Sequence, residues 1–326
     1  MRKAIFKNFL IAFLLPIPRV LMSSVLSQIF HGLMLGVLYS LIASGYTLIF
    51  GVLNVVNFAH GDVCILGAFV LMTGVLILAP LSITLGSWYF ILFLILITIT
   101  VTGGLGIVIE RLTVKPFRKV GHMPLFLGSV AVAFIIREVI KHLYPDGANP
   151  KQFPIILTNL KFQWLGVDIR LSNLIIIAIA AALFISLFTF VNKTKIGLQI
   201  KASSEDIDAA QMMGVSLNKT YAAIYFIASC VGALAGILNG IYFQIMQYNM
   251  GVITGIIGFS AAIFGGLGNV YGAIIGGLIL GFVESFTVAF VPGGTPYKEV
   301  FAFIIVIIFL ALKPSGILGK KFIEKV

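Results

Sequence analysis

The chain has 326 residues, of which 60% are hydrophobic and only 10% charged, with a mean hydropathy of +1.12 and a formal net charge of +11. A soluble domain carries about 25% charged residues, so this composition excludes a soluble globular protein and makes lipid the solvent. The basic residues are scattered between apolar segments and form no stripe with interleaved aromatics, which excludes a nucleic-acid surface and points to the positive-inside rule.

The amino terminus places Arg2, Lys3 and Lys7 before a short apolar run, Phe9 to Leu15, that meets Pro16 and Pro18. This pattern suits either a signal-peptide core or the start of a first membrane helix. The lack of a small-residue cleavage site favours the helix. Membrane segments are then predicted near 4–25, 32–52, 63–80, 88–109, 124–143, 172–191, 221–243, 250–267, 270–291 and 299–313. No charge interrupts Val63 to Ile109. Segments of about 20 apolar residues cross roughly 30 Å of hydrocarbon, and lipid leaves backbone groups no partner, so they must be helices. No strand-like alternation of the kind seen in outer-membrane barrels occurs. The uncharged run from Met250 to Val283 suits two short helices or a helix and a re-entrant segment. The predicted fold is all-α, a polytopic bundle of 8–10 membrane helices.

Positive charge sorts by side. Fifteen Lys and Arg fall at the termini, at 111–119 and at 193–219, against four in the alternate set, Lys151, Lys161, Arg170 and Lys298. Both termini and the 192–220 loop are therefore expected in the cytoplasm. The longest external loop is expected at about 144–171.

The junction of the second and third segments reads Gly45-Tyr46-Thr-Leu-Ile-Phe-Gly51, then Asn54, Asn57, His60 and Asp62. Polar groups between apolar helices need protein or water as partners. Tyr46, Asn54, Asn57, His60 and Asp62 are thus candidates for a pathway or gate, with Asn54 and Asn57 spaced to share a helix face. The competing reading makes Asn57, His60 and Asp62 caps of two helix ends at the cytoplasmic surface.

The loop from Asn192 to Thr220 carries Lys201, Ser203, Ser204, Glu205, Asp206, Ala209, Ala210, Met213 and Gly214. Ser203 or Ser204 suits an N-cap, with the acidic residues in the first turn, and Gly214 suits a left-handed stop. A short helix over about 203–213 is predicted, with an adaptable small-residue and methionine face. It either docks in a partner's groove or rests on the membrane.

Glycines at small-xxx-small spacing, Gly232/Gly236/Gly240 and Gly272/Gly276 among them, are expected to let helix backbones approach closely. Glu284, Arg137 and Glu138 lie in apolar segments and are expected to pair within the chain or sit near an interface. Cys64 and Cys230 lie in apolar stretches without metal-ligand spacing and read as packing residues. No catalytic cluster such as HExxH or GxSxG occurs, so no catalytic, cofactor or metal residue is assigned. No P-loop of the form GxxxxGK[ST] occurs either, so any ATP that drives the protein is bound by another chain.

Four stretches, in order, carry a family resemblance. Gly45 to Gly51 with Asn57-Phe-Ala-His60-Gly-Asp62 resembles the GYTxxxG…xNFAHGE opening of LivH-type permeases of branched-chain amino acid ABC importers. Gly197 to Gly214 resembles their GxxxRAxxxDxxxAxxxGI element. Gly265 to Gly277 is similar to GGxGxxxGAxxGG, and Lys313-Pro-Ser-Gly316-Ile-Leu-Gly319 resembles their tail. The resemblance runs from about residue 30 to the end. Asp62 replaces the usual Glu and Lys201 the usual Arg, which keeps the charge and loses the planar fork.

The resemblance implies one transmembrane permease domain over 1–326, with 1–28 as an extension or extra helix and 192–220 as a cytoplasmic coupling loop. It implies a bacterial inner-membrane location. The implied partners are a homologous second permease, two cytoplasmic P-loop ATPases that carry ATP and Mg, a periplasmic amino-acid binding protein and membrane lipid. Lys201, Ser204, Glu205, Asp206, Ala209, Ala210, Met213 and Gly214 would then meet an ATPase. Urea or short-amide importer permeases share much of the pattern and are the first alternative. A proton- or sodium-coupled secondary transporter is the second, disfavoured by the sparse intramembrane acids. A membrane-embedded enzyme lacks its cluster.

Overall fold

The computed structural model describes residues 16–78, 88–157, 160–164 and 167–319. It is built from helices: α1 (Pro16–Leu53), α2 (Ala59–Leu78), α3 (Trp88–Ile109), α4 (His122–Leu143), α5 (Leu171–Lys193), α6 (Lys195–Glu205), α7 (Ile207–Met212), α8 (Leu217–Phe243), α9 (Met250–Gly265), α10 (Val270–Phe290) and α11 (Lys298–Leu312). Among the described residues eight helices are long and apolar enough to cross a membrane, and α9, at 16 residues, is a shorter apolar one. The protein is an all-α polytopic bundle.

The predicted boundary between segments 4–25 and 32–52 does not exist. α1 runs unbroken for 38 residues. Its two prolines lie in the first turn, where missing N–H groups cost nothing. The polar residues of the supposed break have partners inside the bundle. The Ser285 hydroxyl donates to the Gln28 carbonyl at 2.7 Å, and His31 lies 3.2 Å from the Tyr242 hydroxyl. Residues 1–15, with the expected signal or first helix and its three basic residues, lie outside the described residues.

Glycine governs which helices lie at the centre. α1 and α10 run antiparallel with Gly36 against Leu278, Gly277 against Ser40 and Gly281 against Gly36. Where hydrocarbon solvates the outside, contact of this kind replaces hydrophobic drive. α8 forms a second axis, packed on α2 and α3. Its Gly236 lies so close to Cys64 that a Cβ would run into the Cys64 carbonyl. Gly232 faces His60 and the Cys64 sulfur, and Gly240 faces the Phe153 ring. By contrast α3, α4 and α11 turn many apolar side chains outward, Leu96, Phe134 and Ile307 among them, as lipid-facing helices do.

The uncharged run resolves into α9 and α10, joined by a tight turn at 266–269. Gly266 and Gly268 take φ of +110° and +83° there. Gly272 packs on the Gly265 carbonyl and Gly276 on that of Ala261. The tail closes on this turn: the amides of Ile317 and Leu318 donate to Phe264 and Gly265 carbonyls, and Asn269 Nδ2 donates to Leu318. The third and fourth motif elements are thus one unit, although far apart in the chain. At the opposite pole, β1 (Lys151–Gln152) pairs with β4 (Ile245–Met246), and β2 (Lys161–Trp164) forms a hairpin with β3 (Val167–Arg170).

Candidate functional site: a break between helices and a capped loop helix

Asn54 takes φ of +51°, a left-handed conformation that Asn tolerates better than most residues, and so ends α1. Asn57 lies in the connection, and its Oδ1 accepts from the Ala59 amide at 3.1 Å at the start of α2. The two asparagines therefore do not share a helix face: one stops a helix and the other starts one. The Phe58 amide is held by Ser129 of α4 at 3.1 Å.

The next turn does not cap anything at a surface. His60 and Asp62 are buried inside α2. His60 packs beside Gly232, at the middle of the 27-residue α8. Tyr46 of α1 meets its ring edge-on, with centroids 4.8 Å apart. Asp62 accepts two hydrogen bonds from Arg137 of α4, from Nε at 3.0 Å and from Nη2 at 3.2 Å. Its side chain is 2% exposed and that of Arg137 19%. This bidentate fork is the strong form of an ion pair. The sequence marks both residues but not their partnership.

Glu284 is also paired. Tyr39 donates to its Oε2 at 2.8 Å, and Lys298 Nζ lies 3.4 Å from the same oxygen. Glu138, exposed, meets Lys141 and His142 one turn on. Among the described residues no group of three His, Cys, Asp or Glu stands where a metal ion would need it.

The loop helix forms, but shorter and later than predicted. Ser203 and Ser204 belong to α6, whose N-cap is Thr194, accepting from Gly197. The chain breaks at Asp206, with φ of −156°. The Asp206 carboxylate accepts from the Asp208 and Ala209 amides, both at 3.0 Å, and starts α7 at Ile207. A carboxylate satisfies two orphan amides and complements the helix dipole, so Asp206 outcompetes the serines upstream. Gly214, at φ +84°, ends the helix. Its amide donates to Gln211 while that of Val215 reaches back to Ala210, the paired bonds of a Schellman stop. Lys201, Ser204, Glu205 and Ala209 are exposed. Ala210 is buried at 4%, while Met212 and Met213 stand 87% and 85% exposed. Met212, outside the set of candidate residues, is the most exposed apolar side chain of the loop; its position beside Met213 was the available signal.

A bundle with a polar break between inner helices, a capped loop helix and no nucleotide-binding element of its own is a membrane transport subunit. Residues 28–310 match the model of the permease component of branched-chain amino acid transport systems, and the chain belongs to that family. It is similar to the BraD permease of the high-affinity branched-chain amino acid transport system of Pseudomonas aeruginosa. The two are 29% identical over 305 residues, 92% of this chain and 98% of that protein. It is equally similar, at 29% over 308 residues, to the LivH permease of Escherichia coli, covering 92% and 97% of the two chains. The probable LivH permease of Methanocaldococcus jannaschii is 30% identical over 293 residues, 86% of this chain and 88% of that one. No solved structure gives a significant match. The chain is a permease component and not an enzyme.

Proposed function

We propose that this chain carries leucine, isoleucine or valine across the bacterial inner membrane as one of two paired permeases. Two P-loop ATPases on the cytoplasmic face hold the ATP and Mg, and a periplasmic binding protein delivers the cargo. The observation that carries the reading is α7. It is fixed at both ends, by Asp206 and by Gly214, and it turns Met212 and Met213 almost wholly outward. A rigid stub with flexible, polarisable tips suits a groove on a partner that moves with nucleotide. Glu205, Asp206 and Lys201 lie beside it, where charges set orientation more than affinity. The 192–220 loop is then cytoplasmic, and the β2–β3 hairpin periplasmic.

The test is purification from native membrane through a tag at the carboxyl terminus, identification of the bound chains, and an ATPase assay with binding protein. A second permease and two P-loop ATPases, stimulated by leucine-loaded binding protein, are the expected result. Stimulation by urea instead would keep the machine and change the cargo. A chain that transports alone would overturn the reading.

A further inference from the structure

The end of α3 widens into one π-helical turn, Glu110–Val114, and the chain then turns through 115–121 to reach α4. Because α3 and α4 both cross the membrane, this connection lies at its surface. It reads Glu110-Arg111-Leu112-Thr113-Val114-Lys115-Pro116-Phe117-Arg118-Lys119-Val120, four cations against one acid. Glu110, Thr113 and Val114 are buried. The amides of Phe117 and Arg118 both donate to the Val114 carbonyl and fix the turn. Arg111, Lys115 and Lys119 are exposed, and Leu112, Phe117 and Val120 are exposed among them. Arg118 folds back onto α8, its guanidinium carbon 5.9 Å from the centre of the Tyr221 ring. The ring attracts the cation through its face but takes none of the in-plane N–H groups. Arg118 Nη1 is shut off from solvent and has no acceptor among the described residues. A charged donor left without an acceptor is costly, so the acceptor comes from outside the chain.

We propose that this connection binds the headgroup of an anionic phospholipid, with Arg118 as its anchor. Arg118 Nη1 donates to a phosphate oxygen, and Arg111, Lys115 and Lys119 supply the surrounding positive field. Clusters of cations beside a membrane span attract anionic headgroups in this way. The apolar side chains decide between a lipid and another anion. Val101, Leu105, Val108 and Leu112 follow one another along a single outward stripe of α3. The lipid-facing surface of that helix therefore runs without a break up to the cations, so acyl chains lie along it while the phosphate meets Arg118. Phe117 and Val120 extend the same apolar contact into the turn. A soluble anion would gain nothing from these residues. The positive-inside bias explains why cations stand on this side, but it does not call for a sealed donor held over a tyrosine ring. Bound in this way, the lipid ties the α3–α4 connection to its leaflet. The proposal needs a chain that spans a membrane and is independent of the cargo.

The test puts a fluorophore at the site. The chain has two tryptophans, and W88F/W164F/V120W leaves the full chain with one, beside the cations. In phosphatidylcholine vesicles it is titrated with brominated phosphatidylglycerol or with brominated phosphatidylcholine. Quenching at equal lipid fraction should be severalfold greater with the anionic lipid. Adding R118Q should remove most of that excess, and adding K115Q/K119Q should lower it severalfold. K193Q, which removes an exposed cation at the end of α5, should leave it unchanged. Equal quenching by the two lipids, or an excess that survives R118Q, overturns the proposal. An equal loss in K193Q overturns it as well, since only the general attraction of a basic face would remain. If R118Q does not reconstitute, K115Q/K119Q decides, and an unchanged excess in that variant overturns the proposal. Inorganic phosphate in large excess should not relieve the quenching, and the excess should persist when the partner chains are bound. Relief by phosphate would assign the site to a soluble anion, loss on assembly would assign it to a protein, and either result overturns the lipid site. No uptake enters the measurement, so a failure of the amino-acid reading would leave it untouched.

Discussion

At the scale of single residues, the bundle depends on where a side chain is missing. Gly236 is among the tightest of these places, and its obstacle is the Cys64 backbone carbonyl and not a side chain that can turn aside. Gly236→Leu should force α8 away from α2 and cost at least about 1–3 kcal/mol, the usual range for overpacking. Thermal unfolding in detergent should show a clear drop, and a melt equal to wild type would remove this contact from the account of the fold. The glycine spacing was legible in the sequence because small-xxx-small pairs belong to one helix. The pairing of Asp62 with Arg137 was not, because the partners are 75 residues apart and nothing local ties them. Hydropathy marked each charge as anomalous but gave no geometry. The same holds for Glu284, whose partners Tyr39 and Lys298 lie on two different helices.

At the scale of elements, periodicity and apolar length placed the spans to within a few residues, from α2 through α11. They failed where competition between neighbours decides. Nothing in composition says that α1 continues through Gln28 and His31, since their partners on α10 and α8 come from distant sequence. In the 192–220 loop two serines and an aspartate all suit an N-cap, and the winner is the one that reaches two amides at once. The consequence for α7 is a change of face. Ala210 points inward, so a large substitution there would probe the packing of α7 on its own chain. Met213→Arg is the cleaner test of docking. It should lower leucine uptake at least tenfold while the amount of chain in the membrane stays at the wild-type level. Normal uptake would show that the exposed methionine tips of α7 do not couple the permease to ATP hydrolysis.

At the scale of the whole molecule, the order of passes fixes relative orientation. Five crossing helices, α1 to α5, lie between Pro16 and the loop that holds α7. An odd number of crossings puts the start of α1 and that loop on opposite faces. With the loop cytoplasmic, the start of α1 belongs with the β2–β3 hairpin, on the periplasmic face. Positive-charge counting assigned Arg2, Lys3 and Lys7 to the cytoplasmic set, and those three lie outside the described residues. The orientation is measurable with single cysteines and a membrane-impermeant maleimide. S24C, at an exposed position of α1, and D168C, exposed on β3, should both react in intact spheroplasts. M213C should react only after the membrane is opened. If S24C reacted together with M213C, α1 could not be one pass, and the number of crossings before α6 would have to be even.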